Sequence, residues 1–150
     1  MSKQAEADLI LKPYDLRREP LMRDARNWFA TFNPQKPEDF MEVLTSEKSG
    51  MYRMVISYWD MACSLVINGA ISEQMFNDAN GEHIFVYAKM EPFIPMLRAQ
   101  MQSPNFLGSL EKVVTAMPDS ETRVAAVRER MKKIIAMWEQ RQAQAAAASN

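Results

Sequence analysis

Apolar residues recur three and four positions apart along most of the chain, and nowhere does the two-residue alternation of a half-buried strand persist. That period gathers apolar side chains on one face of a helix, and the breakers fall where helix ends are expected. The pattern predicts an all-α protein, an irregular bundle of about six to eight helices. A single domain is expected over residues 1–141, followed by a flexible alanine-rich tail over 142–150. The length of 150 residues agrees, since one domain of that size buries enough surface for a core without disulfides or metals.

Ser2 is expected to cap a first helix ending near Leu11. Pro13 should then interrupt the path, because it removes an amide donor and clashes with the preceding turn. A second helix covers about 14–32, its start drawn toward Glu19 by Pro20, and Pro37 opens a short one to Thr45. The central helix runs from Ser49 to Asn68, with Gly69 as its stop. Ser72 caps a short helix to Ala79. The next runs from Glu82 to Gln102, bent by Pro92 and Pro95. Ser103-Pro104 opens a helix to Met117, and Ser120 caps the last, which runs to Arg141 with Val124, Val127, Met131, Ile134, Ile135 and Trp138 on one stripe.

The scarce residue types bear on function. One cysteine, Cys63, excludes an internal disulfide and a zinc finger, and reads as a small buried hydrophobe. One histidine, His83, excludes multi-histidine metal sites, and four glycines leave no glycine-rich phosphate loop. No catalytic residue, metal ligand set or cofactor is assigned. The first eight residues lack the basic-then-apolar order of a signal peptide. The most apolar run, 61–71, is far short of the ~20 residues of a spanning helix. A cytoplasmic protein that binds no membrane is expected.

Charge argues against nucleic acid. Residues 12–26 carry five bases against three acids, 119–141 six against four, and 33–100 five against nine, so no concentrated basic surface forms. The thirteen methionines fall mostly on inward stripes and suit gap filling, although flexible thioethers also suit a surface that accepts a partner helix.

Two groups of residues could form a site. On the central helix, Arg53, Ser57, Asp60, Ser64 and Asn68 make a polar row beside Tyr58 and Trp59. The row either lines a polar pocket or is the solvent-facing strip, and the second is the commoner outcome. The other group is Glu82-His83 with Tyr87 and Glu91. A histidine among carboxylates could move a proton, but its spacing is weak evidence for chemistry and fits capping equally well.

The segments Met51-Tyr52-Arg53, Tyr58-Trp59-Asp60, Asn68-Gly69-Ala70-Ile71, Asn80-Gly81-Glu82, Phe85-Val86-Tyr87-Ala88-Lys89 and Glu91-Pro92-Phe93 resemble small all-helical bacterial proteins known only as a domain of unknown function. The resemblance covers about residues 49–98. It implies a helical, cytoplasmic, bacterial protein and carries no catalytic residues with it.

Two functions from different classes are therefore expected. The first is a non-enzymatic interaction module that associates with itself or another protein, with Trp138 on the last helix at the interface. The alternative is a small apolar or amphipathic ligand held between helices. Its anchors would be Tyr58, Trp59, Phe85 and Tyr87, with Arg53 and Asp60 as orienting groups and His83 nearby.

Overall fold

The computed structural model of the protein describes residues 2–149. Among them lie nine α-helices: α1 Lys3–Arg17, α2 Pro20–Thr31, α3 Pro37–Leu44, α4 Ser49–Ile67, α5 Glu73–Ala79, α6 Glu82–Met90, α7 Ile94–Gln100, α8 Gly108–Ala116 and α9 Ser120–Ala148. A 3-10 turn, Glu91–Phe93, joins α6 to α7. The all-α class and the single domain of the sequence reading are what the chain adopts.

The centre is α4. Its Tyr52, Val55, Ile56, Trp59, Ala62 and Cys63 are all buried. Helices α2 and α8 pack on it from two sides, and α6 carries the core across to α9. Burial pushes the Cys63 thiol up to about 12, which keeps it a thiol and inert at neutral pH.

Local chemistry accounts for most ends. The Ser2 hydroxyl accepts from the Ala5 amide and that of Ser72 from Met75, each meeting an amide the first helical turn leaves free. At the end of α4, Gly69 takes φ +74 while Ala70 N donates to Leu65 O and Gly69 N to Val66 O. This pair of bonds closes a helix through a left-handed residue, a conformation that glycine adopts without steric cost.

Several expected boundaries are corrected. Pro13 does not interrupt α1, which continues to Arg17. The helix lies on the surface with no fully buried residue, so the missing bond costs little core packing. The Tyr58 hydroxyl also donates to the Pro13 carbonyl at 2.7 Å. The break comes instead before Pro20, which disfavours helical backbone in the residue preceding it, and the Glu19 carboxylate caps Met22 N at 2.9 Å. Pro92 and Pro95 divide the expected 82–102 helix into α6, the 3-10 turn and α7.

Ser103-Pro104 opens no helix. Ser103 N bonds back to Arg98 O, Leu107 turns left-handed at φ +54, and α8 begins at Gly108. Asp119, also left-handed at φ +55, is the N-cap of α9, where Ser120 was expected. Helix α9 runs past Arg141 to Ala148, because alanine is the best intrinsic helix former and nothing there breaks the helix. Asn150, the last residue of the expected tail, lies outside the described residues.

Candidate functional site

The first residues of α6 meet α2 and α4 in a half-buried polar cluster. Arg26 of α2 donates Nε to both oxygens of Glu82, at 2.9 and 3.0 Å, with Nη2 adding a further bond. The Trp59 indole donates to Glu82 Oε1 at 3.2 Å. The bond to Glu82 raises the Arg26 guanidinium above its ordinary value against the opposing effect of burial, which fixes the pair in its charged form. Arg17 lies over the rings of Tyr14 and Trp59, at 5.1 and 5.5 Å from their centroids, and so holds the end of α1 on the cluster.

His83, next in sequence, is 0% exposed. Its ring sits 5.8 Å from Trp59 and 5.0 Å from Phe76, and Nε2 is 3.0 Å from Asn77 Oδ1. Nδ1 has no partner among the described residues. Burial pulls the imidazole down to about 4, so at neutral pH it is uncharged and Nε2–H donates to Asn77. The ring packs in the core and holds α5 against α6.

The remaining sequence candidates are spread over different faces. Tyr58 and Trp59 are buried, Trp59 beside His83, and the cavity next to them is about 10 Å³, room for about one water. Arg53, Ser57 and Asn68 face solvent while Asp60 and Ser64 are half-buried, so the polar row is largely the solvent-facing strip. Arg53 and Asp60 border an open groove with Ser103, Phe106 and Leu107. Asp60 has a structural task there. Its Oδ1 accepts from Leu110 N at 2.9 Å and caps α8, whose own N-cap Leu107 has no side-chain oxygen to offer. Tyr87 is buried and borders a different recess with Thr115 and Arg128, and Phe85 is half-buried beside Lys89.

Two features escaped the sequence reading. Lys89 is 6% exposed, and its amine donates to the carbonyls of Phe29, Ala30 and Phe32 at the end of α2, over the rings of Phe29 and Phe85. A cation there meets the negative end of the helix dipole. Burial pushes the amine down to about 7. The available signal was a lysine inside the otherwise apolar run Ile84–Met90. The second feature is a groove of about 420 Å³ between the Asn33–Gln35 loop, the 3-10 turn and α9, with Lys89 in its wall.

The last helix divides in two. Val124, Val127 and Met131 are buried, and then the stripe leaves the core: Ile134 is 47% exposed, Met137 55% and Trp138 44%.

Fold and site together define an all-helical domain with a half-buried polar cluster where α2, α4 and α6 meet. Among the described residues no helix is long and apolar enough to cross a membrane, and no three His, Cys, Asp or Glu side chains cluster as a metal site. The chain belongs to the family described as Domain of unknown function (DUF4760), which matches residues 4–117. No curated protein and no solved structure matches it. The family match ends at Met117, so α9 lies wholly beyond it.

Proposed function

We propose that this protein is a non-enzymatic interaction module of the bacterial cytoplasm that self-associates through the outer half of α9. The observation that carries this reading is the apolar stripe that leaves the core at Ile134, Met137 and Trp138. Helix α9 has 29 residues, a length of about 44 Å, and only its first half is packed on the body. The spacing of 124, 127, 131, 134 and 138 alternates three and four, as in helices that pair along a seam. The same face that fills the core thus continues into solvent without a partner.

The stripe is small. Burying a Leu-sized side chain in full is worth about 1.5–3 kcal/mol, and these three are already about half covered, so each offers roughly 1 kcal/mol per copy. Set against the cost of association, that supports a weak, concentration-dependent dimer.

Size-exclusion chromatography with light scattering tests this on the full chain, from micromolar to millimolar concentration. The mass is expected to rise above 17.2 kDa with concentration, and Ile134→Lys combined with Trp138→Glu to hold it at the monomer without lowering the melting temperature. A wild-type chain that stays at the monomer mass throughout would refute self-association.

A further inference from the structure

The groove beside Lys89 flanks the stripe on α9 and shares Met131 with it. Arg128, Lys132, Ile135 and Glu139 succeed one another by four, three and four on the groove side, with Ala136 beside them, whereas Ile134 and Met137 lie about 100° or more around the helix from those four. At about 420 Å³ the groove falls within the size range of small-molecule sites, which are mostly apolar with a few polar groups. Phe93, Pro92 and Pro34 form one wall, and Met131, Ile135 and Ala136 form the other.

Three basic side chains, Lys89, Arg128 and Lys132, line the groove with the carboxylate of Glu139. They differ in what they can offer. Lys89 spends its donors on the α2 carbonyls and has none left for a ligand. Arg128 is tied to Glu91 and to the Ala88 carbonyl. Lys132 is free to exchange, because its partner Glu129 is an exposed neighbour three residues away and such pairs are worth about 0–1 kcal/mol.

We propose that this groove binds a small amphipathic carboxylate, its apolar body between Phe93 and Ile135 and its head group on Lys132 beside Arg128. The apolar walls exclude a purely ionic ligand. The Lys132 ammonium, held only by an exposed partner that it can exchange, favours an anionic head over a neutral or cationic one of the same chain length.

Isothermal titration of the full chain with decanoate below its micelle concentration tests the site, with decanol and decyltrimethylammonium as matched probes. Saturable binding of one decanoate per chain is expected, with both matched probes weaker by about tenfold or more. Lys132→Glu should weaken decanoate by about tenfold, and Ala136→Trp, a substitution at an exposed position that fills the groove, should abolish binding at an unchanged melting temperature. Met137→Gln, on the opposite side of the helix, should leave decanoate binding as it is. Absence of saturation, equal affinity for decanol, or undiminished binding by Ala136→Trp would each overturn the proposal.

Discussion

The orphaned nitrogen of His83 makes a quantitative claim about acid stability. Unfolded, the imidazole takes a proton near 6.5. Folded, it resists protonation down to about 4, because the ring is fully enclosed and a proton on Nδ1 would find no acceptor. Where the unfolded chain binds more protons than the folded one, stability falls as pH falls. The contribution is therefore complete above about pH 7 and is lost progressively as pH drops through 6.5 toward 4. One pKa unit is worth 1.36 kcal/mol. The two values give a loss of about 2 kcal/mol by pH 5 and about 3 kcal/mol by pH 4. Urea unfolding at a series of pH values measures this when the wild type is compared with His83→Gln. The variant keeps an amide donor for Asn77 and cannot titrate, and the carboxylates shared by both proteins cancel in the difference. The stability gap between the two is expected to shift against the wild type by about 2 kcal/mol from pH 8 to pH 5. A gap independent of pH would refute the reasoning and place the ring in contact with water.

Other perturbations follow from particular contacts. Removing one partner of the Arg26–Glu82 pair, about a quarter exposed on each side, should cost about 2 kcal/mol in denaturant unfolding, less than a fully buried pair would lose. Asp60→Ala should lower stability by about 1 kcal/mol through the lost cap on Leu110 N, and Asp60→Asn, which keeps an accepting oxygen, by less than half of that. Along α9 the cost should switch with burial: about 2 kcal/mol for Val127→Ala, and within about 0.5 kcal/mol for Ile134→Ala.

What could be read from sequence was what neighbouring residues decide. Ser2, Pro37, Gly69 and Ser72 act on amides and carbonyls within one turn, and each marks the helix end that its chemistry implies. Pro13 obeys the same local rule, yet the helix passes through it, because a surface helix with no fully buried residue tolerates one missing amide. The left-handed turns at Leu107 and Asp119 carry no glycine to announce them. Asp60 looked like a site residue because its real partner, Leu110 N, is 50 positions away. Lys89 went unread because lysines are almost never fully buried, and its reason for burial, the open end of α2, is set by tertiary packing. The last-helix stripe was visible as a pattern, but where it leaves the core depends on how far the body extends beneath it.

The central claim, that the outer half of α9 is an interface, is tested most directly by amide hydrogen exchange of residues 132–148 at increasing concentration of the full chain. Outside the core this segment has only its own helical bonds to protect it, so in a monomer it should exchange within the fraying regime. Protection centred on Ile134–Trp138 that grows with concentration, and is lost in Trp138→Glu, is the result expected. Fast exchange that stays the same from micromolar to millimolar would contradict the account.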